Sequence, residues 1–388
     1  MKHTTEGLRG LLRPPWVAML LISIGMSLAV ALAKRPPNYT VVVTAASNIL
    51  ASQNPYEAQP GLDFYKYSPL AGLSIAPFIP LPVPVGIFFF ILTQTIAFQW
   101  AFWRWSRVAG YDLAASRKLQ WVAVASAGLD LATTLQNCQV NAGIFALMLL
   151  GAAQYAEGKP VLSGLSLSLA TNLKLFPFTL AASLLMDFRG RFWLSFLGGL
   201  ALWLLAPAAL LGLSADRELH RQWFQRMASD RGGDLSMLDV GSFLEIHFGL
   251  HGWLTPTAVM VGAGLGLLSL RLFRRGDHGR LNRFLLPLNG LYVLLFSYLS
   301  ESPTSILAVA GIFLIGARAA MGEGRNRLYA CAFVLAFALV PLFYSSLPPA
   351  ASQAWARAVH LKTVGYAYVF LVNLLLLQER GPTPSRSA

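Results

Sequence analysis

The feature that most constrains this chain is a succession of uncharged apolar blocks, each close to membrane-spanning length, joined by short connectors rich in arginine. Inside a bilayer no water can satisfy backbone N–H and C=O groups, so such blocks cross as helices of roughly 20 residues. The first runs from Pro15 to about Ala33. Others lie near 68–103 (one long or broken unit), 119–135, 140–156, 160–174, 176–187, 192–214, 252–273, 284–299, 303–317, 328–345 and 362–378, which makes about twelve crossings. Of the 388 residues, 55% are hydrophobic and 12% charged, about half the roughly 25% charged fraction of soluble domains. That composition excludes an ordinary cytosolic enzyme and predicts one all-α polytopic membrane domain over residues 1–388. The net charge of +13 would suit nucleic acid if it formed a patch, but most of the basic residues bracket apolar blocks. Cys138 and Cys331 make neither a disulfide framework nor a metal-ligand spacing.

The connectors alternate in charge as the positive-inside rule requires. Lys2, Arg9 and Arg13 hold the N-terminus in the cytoplasm, and Arg104, Arg107, Arg117, Lys118, Arg189, Arg191, the run from Arg271 to Arg283, and Arg318, Arg325 and Arg327 fall on the same side. Both termini come out cytoplasmic, in a bacterial-type inner membrane. Ala31-Leu32-Ala33 also reads as a signal-peptide cleavage site, and cleavage there would leave the later topology unchanged. The blocks at 160–174 and 176–187 are short enough for one to be re-entrant. Two sizeable outer loops result, 34–67 and 215–251, and residues 381–388 read as a disordered cytoplasmic tail. No internal repeat of the kind common in secondary transporters is visible.

An ionisable residue at mid-bilayer costs at least about 2.5–3.5 kcal/mol, so each one asks for a partner, an aqueous cavity or a function. Asp130, Lys174 and Glu301 all map to the outer half of the apolar blocks. Snorkelling explains Lys174 alone and a helix–helix hydrogen bond explains Asp130 alone, whereas a shared polar cavity explains their common depth. The first outer loop carries Asn54-Pro55-Tyr56-Glu57 and Asp63-Phe64-Tyr65-Lys66-Tyr67-Ser68-Pro69, carboxylates set among aromatic rings. Rings that pack on sugar faces and a carboxylate that accepts a hydroxyl proton fit this pattern, and so does an aromatic belt at the headgroups. In the second loop Arg217 and Arg221, four residues apart, put two guanidinium groups on one helix face. Such a pair grips phosphate oxygens, or belongs to a solvated amphipathic helix balanced by Asp216 and Glu218; Arg226, Asp230 and Arg231 fit either reading. Nucleotide loops, dinucleotide fingerprints and the His-Glu-x-x-His zinc pattern are missing, and His247 and His251 form the only histidine pair at helical spacing.

The order of the motifs resembles a known family. Ala45-Ala46-Ser47-Asn48-Ile49-Leu50, then Asn54-Pro55-Tyr56 and Phe64-Tyr65-Lys66-Tyr67-Ser68-Pro69-Leu70, is similar to the first outer loop of glycosyltransferase family 87. These are polyprenol-phosphate-sugar-dependent mannosyl- and related hexosyl- or pentosyltransferases of the GT-C superfamily. Gln139-Val140-Asn141, Gly164, Ala170, Lys174 and Pro177 follow the family's "GQ-x-N … G … A … K-x-x-P", Ser242-Phe243-Leu244 resembles "N-x-S-L", and Ser302-Pro303-Thr304-Ser305 resembles "S-P-x-S-W". The resemblance covers roughly residues 38–310.

It implies a GT-C-like bundle whose outer-face loops carry short helices. It further implies a lipid-phosphate sugar donor entering from the bilayer, and an acceptor lipid or glycan whose hydroxyl an outer-face carboxylate deprotonates. Lys174 with Arg217 or Arg221 would neutralise the donor phosphate. Asn38, Tyr65, Tyr67, Gln139, Asn141 and Ser242 would bind sugar or acceptor. No metal and no cofactor is expected, and no nucleic acid.

The sequence departs from the pattern at the base. The family's catalytic Asp is expected about seven residues before Ala45, where this chain has Asn38, and an amide cannot take a proton. Cys138 replaces the leading Gly of "G-Q-x-N", and Ile306-Leu307-Ala308-Val309 stands where a His-containing stretch is expected. Three readings stay open: Asp63 is the base, with Glu301 a second candidate; the loop aligns differently; or the chain binds a lipid-linked sugar without the usual chemistry. A transporter or flippase using the same cavity is the rival from another class, and it would carry inverted repeats with charges in both leaflets.

Overall fold

The computed structural model describes residues 14–33, 37–57, 64–229, 239–297, 302–322, 326–343 and 349–379. Asp63, Asp230, Arg231, Glu301 and the tail 381–388 lie outside them. Among the described residues every regular element is a helix. Helix α1 (Pro14–Ala33) occupies the first apolar block, and α2 (Pro37–Leu50) lies within the first predicted loop. The broken block at 68–103 resolves into α3 (Pro69–Ile75), a 3-10 turn at Ala76–Phe78, and α4 (Val83–Val108). Then come α5 (Arg117–Gln136), α6 (Asn141–Ala156), α7 (Pro160–Leu173), α8 (Phe178–Leu185), α9 (Gly190–Leu205) and the short α10 (Ala208–Leu211). The second predicted loop carries α11 (Leu213–Ser229) and α12 (Val240–Phe248). Helices α13 (Leu254–Arg274) and α14 (His278–Phe296) precede a 3-10 helix (Ser302–Ala308) that runs into α15 (Val309–Met321). Last are α16 (Asn326–Phe337) with a π-helical extension over Ala338–Leu342, α17 (Ala350–Ala358) and α18 (Leu361–Gln378).

Five segments are long and apolar enough to cross a membrane: Val83–Val108, Gly190–Leu211, Leu254–Arg274, Pro303–Met321 and Leu361–Gln378. Shorter apolar helices occupy Trp16–Leu32, Asn141–Ala156 and Asn326–Leu342. Helix α5 is 20 residues long but more polar, because Gln120, Ser126, Asp130 and Thr134 are turned inward and buried. Lipid-facing residues such as Leu194, Leu202, Val259, Leu267 and Leu375 are exposed, as expected where acyl chains replace water.

Small residues bring the helices together. A Cβ at Gly164 of α7 would lie 2.1 Å from Ser195 Oγ and 2.8 Å from the Phe196 backbone nitrogen of α9. One at Gly199 would lie 2.2 Å from Ser168 Oγ. With little hydrophobic force between helices in lipid, close backbone approach of this kind supplies the packing. It also gives Gly164 of the sequence pattern a physical reason.

The bundle is polar in a second sense, from one end to the other. Arg104 at the end of α4 bonds Glu157 at the end of α6 (Nε to Oε1, 2.7 Å), Lys159 before α7 bonds the same carboxylate, and Arg283 of α14 donates to the Ala109 carbonyl at 2.9 Å. Arg104 holds Glu157 well below the usual carboxylate range, at about 2. Tyr155, Asp187 and Arg189 join at this same end. The opposite ends of α5, α6, α7 and α14 meet around the cavity described below.

Between these ends sits a buried ion pair. Lys362 Nζ of α18 lies 3.7 Å from Asp130 Oδ1 of α5, with side-chain exposures of 1% and 2%. Ser305 Oγ donates to the same carboxylate, and Thr134 Oγ1 donates to the Pro303 carbonyl at 2.9 Å. Asp130 is thus engaged between helices and is not part of the cavity wall that Lys174 joins. Together the contacts pin the Ser302–Ala308 turn to α5. Breaking one partner leaves a buried charge uncompensated, at a cost of about 3–5 kcal/mol, while removing both charges costs far less. Lys362→Met is therefore expected to lower the melting temperature in detergent sharply, and Asp130→Asn/Lys362→Met to recover most of the loss.

Candidate active site

The cavity opens where several helices end together. Its volume is about 180 Å³. Asn38, Val41 and Val42 of α2 form one wall, and Cys138 and Gln139 of the α5–α6 turn another. Lys174, Leu175 and Phe176 enter from the break between α7 and α8, Trp223 and Met227 from α11, and Val293 and Ser297 from the end of α14. Phe64, Lys66 and Tyr67 precede α3, and Thr304 comes from the pinned 3-10 helix.

Lysine enters because α7 stops. Lys174 leaves the helix in an extended conformation (φ −154°, ψ 136°) while its N–H still bonds the Ala170 carbonyl at 3.1 Å, and Pro177 turns the chain into α8. Those are the Ala, Lys and Pro positions of the sequence pattern. The ammonium donates to Asn141 Oδ1 at 3.1 Å and lies 5.5 Å from the centre of the Tyr67 ring and 5.4 Å from that of Phe176. Asn141 in turn donates to Gln139 Oε1 at 2.6 Å. A cation beside an amide oxygen and ring faces, in a wall rich in apolar side chains, is compatible with an anionic group that carries a hydrocarbon tail.

Helix α6 begins beside this cluster. Its Gly143 N–H is satisfied at 3.2 Å by Gln94 Oε1, a buried side chain of α4. The turn leading into it needs a left-handed residue, and Cys138 adopts φ 48°. An L side chain there stores strain of order 1 kcal/mol, which accounts for glycine in the family pattern and makes this chain's cysteine a departure with a cost. Burial pushes the Cys138 thiol up to about 12, so it stays protonated in the cavity wall.

The aromatic run before α3 is tied down on both sides. Tyr65 is buried and donates to the Ser68 carbonyl at 2.8 Å, Tyr56 donates to the Tyr67 carbonyl at 3.1 Å, and Ser68, N-cap of α3, donates to Asn172 Oδ1 at 3.1 Å. Burial holds the Tyr65 phenol well above its ordinary value, so it remains a donor. Asn38 Nδ2 donates to the Asn137 carbonyl at 2.9 Å, and its oxygen can accept a hydroxyl hydrogen but cannot remove it.

The structure thus brings Asn38, Tyr67, Gln139 and Lys174 into one cavity, with Asn141 bonded behind them. Tyr65 supports Tyr67 from outside the wall. Ser242 lies elsewhere and is engaged in the N-cap of α12, bonded to Asp239 through both N–H and Oγ. Arg217 and Arg221 stand on the exposed face of α11, Arg221 paired with Glu218 at 2.7 Å. The face of α11 that meets the cavity is one residue out of register with that pair: Asp216, Leu219 and Trp223 are buried, and Met227 continues the line. Spacing of 216, 219, 223 and 227 was the available signal for Trp223 and Met227. Thr304, Ser297 and Phe176 had none beyond their neighbourhood. Asp63 and Glu301 fall outside the described residues; in the chain Asp63 directly precedes Phe64 of the cavity wall. Among the described residues no three of His, Cys, Asp and Glu gather as a metal site.

Packed apolar helices, several long enough to cross a bilayer, with exposed apolar faces and a cavity at one end, make this a polytopic membrane protein. Compared with known families, it matches glycosyltransferase family 87 over residues 64–297, more than half of its length, and it belongs to that family. It is a membrane glycosyltransferase. The match begins at Phe64 and ends at Ser297, both in the cavity wall. A search of the curated proteins finds no match.

The left-handed turn before α6 can be tested directly. Cys138→Gly is expected to keep the fold, since relief of φ strain offsets the lost side chain, whereas the β-branched Cys138→Val is expected to destabilise by about 1–3 kcal/mol in thermal denaturation.

Proposed function

We propose that this protein transfers a mannose-like hexose or a pentose from a polyprenyl-phosphate sugar to an envelope lipid or glycan. In this reading the helices make about twelve crossings of a bacterial-type inner membrane, both termini are cytoplasmic, and residues 1–388 act as one unit. The arginine-rich helix ends then face the cytoplasm and the cavity faces outward. The observation that carries the reading is Lys174, an ammonium in a largely apolar cavity with Gln139 and Asn38 beside it.

The acceptor hydroxyl oxygen attacks the anomeric carbon, and the bond from that carbon to the phosphate oxygen breaks. The electron pair leaves with polyprenyl phosphate, whose charge grows as the bond opens. Lys174 stabilises that growing charge and so contributes more to the transition state than to donor binding alone. The hydroxyl proton passes to a carboxylate, and Asp63, next to Phe64 in the chain, is the proposed base with Glu301 the second candidate. Arg217 and Arg221 are proposed to act only on donor headgroups approaching along the outer face of α11. Asn38 favours a second reading, in which the cavity binds a lipid-linked sugar without transferring it, because an amide stands where the family pattern has its base.

The deciding experiment offers purified protein in lipid nanodiscs a panel of polyprenyl-phosphate sugars with a membrane-lipid extract, and measures release of polyprenyl phosphate. Release is expected for one donor and is expected to vanish in Asp63→Asn with donor binding retained. Donor binding without release from any donor would favour the second reading. Lys174→Ala is expected to weaken donor binding about ten- to a hundredfold, the effect of losing a hydrogen bond to a charged group. An unchanged affinity would make Lys174 a snorkelling residue.

A further inference from the structure

Two hydroxyls of the cavity wall have no partner among the described residues. Thr304 lines the cavity from the 3-10 helix and is 3% exposed, and its buried Oγ1 makes no hydrogen bond to any described residue. Ser297 lines the cavity from the end of α14. Its N–H bonds the Val293 carbonyl at 2.9 Å, but its hydroxyl is bonded to no other described residue. Buried polar groups are rarely left unmatched, because the water they give up has to be replaced.

The backbone that carries these hydroxyls is held firmly. On either side of Thr304, Pro303 accepts from Thr134 of α5 at 2.9 Å and Ser305 donates to Asp130. Gly290 brings α14 against the same turn, since a Cβ there would lie 2.6 Å from the Leu307 carbonyl oxygen. What Thr304 retains is rotation about χ1. Its methyl and hydroxyl are close in size, so that rotation exchanges their places and offers the hydroxyl to the cavity without a change of shape.

The wall divides by chemistry. Lys66 and Lys174 come from the segment before α3 and from the α7–α8 break, two pieces of chain tied together by the bond from Ser68 to Asn172. Among the described residues, α14 and the 3-10 helix supply Val293, Ser297 and Thr304, none of them charged. An ammonium only donates and a phosphate diester oxygen only accepts, whereas a hydroxyl does both. Groups that donate and accept, set beside an aliphatic side chain, match a sugar ring, whose hydroxyls also do both and whose C–H faces are apolar.

We propose that Ser297 and Thr304 bind hydroxyls of the sugar and determine which sugar the cavity takes, while Lys174 takes the phosphate. This rests on the reading of the cavity as a site for a lipid-linked sugar and does not require transfer. A site built to bond a hydroxyl discriminates against a ligand that lacks it, because its own group is then left unmatched.

The test uses the full-length protein in phosphatidylcholine nanodiscs, titrated with bare polyprenyl phosphate and with its mannosyl, glucosyl and arabinosyl derivatives, binding being read by native mass spectrometry. Wild type is expected to hold one sugar-bearing lipid more tightly than the bare one. Thr304→Val, which keeps the shape and removes the hydroxyl, and Ser297→Ala are each expected to weaken that lipid about tenfold and to leave bare polyprenyl phosphate unchanged. Thr304→Ser should retain the affinity, and Lys174→Ala should weaken both kinds of lipid. Unliganded Thr304→Val is expected to melt at or above the wild-type temperature, because an unmatched hydroxyl gives way to a methyl. A lower melting temperature would show that the hydroxyl is used inside the fold and would overturn the proposal. So would equal affinity of wild type and both variants for the sugar-bearing lipid, equal loss of bare and sugar-bearing lipid, or a wild type that prefers no sugar-bearing lipid to the bare one. If a sugar-bearing lipid binds and none turns over, the transfer reading fails alone, and the comparison of affinities still decides the role of the two hydroxyls.

Discussion

Everything in this bundle follows from the lack of water around its helices. A polar group turned toward lipid has no partner, so each must find one inside the protein. Gln94 of α4 supplies the oxygen that the start of α6 would otherwise take from solvent. Asp130 meets Lys362 and Ser305, and Asn373 of α18 donates to the Gly311 carbonyl of α15 at 3.2 Å. These matches fix which helices are neighbours. Glycines at 164 and 199 then let the backbones approach closely enough for dispersion forces to hold them.

The same constraint explains where a site can exist. Irregular backbone at membrane depth is tolerated only where it is buried or lines a cavity. The cavity here is built from such irregularities: the stop at Lys174, the left-handed turn at Cys138, the aromatic run before α3 and the 3-10 turn holding Thr304. Each is braced by a bond to a regular element, as Ser68 to Asn172 or Thr134 to Pro303. Breaks in helices thus provide the chemistry, and the unbroken parts hold the breaks in register.

Much of this was legible in the sequence because the bilayer imposes a simple code of length and polarity. Apolar blocks gave the positions of most helices but left 68–103 open as one long or broken unit and missed α2, and the ordered motifs gave the family that the match over 64–297 bears out. Asn38, Tyr67, Gln139 and Lys174 were readable as residues of one cavity because they recur in a known order. Arg217 and Arg221 illustrate the limit. Periodicity puts two arginines on one face but does not say which face of α11 turns inward, and burial goes to the line through Trp223. Lys362 was invisible as a partner of Asp130, since a lysine in the first turn of an apolar block looks like an interfacial residue until the 231 intervening positions are folded.

That last contact has a consequence for how the protein is made. The cavity takes its first residue from Asn38 and its last from Thr304, and the turn bearing Thr304 is anchored through a lysine at position 362. A chain emerging from the ribosome has therefore made every residue lining the cavity 58 positions before the lysine that pairs with Asp130, and until then Ser305 and Thr134 alone join the Thr304 turn to α5.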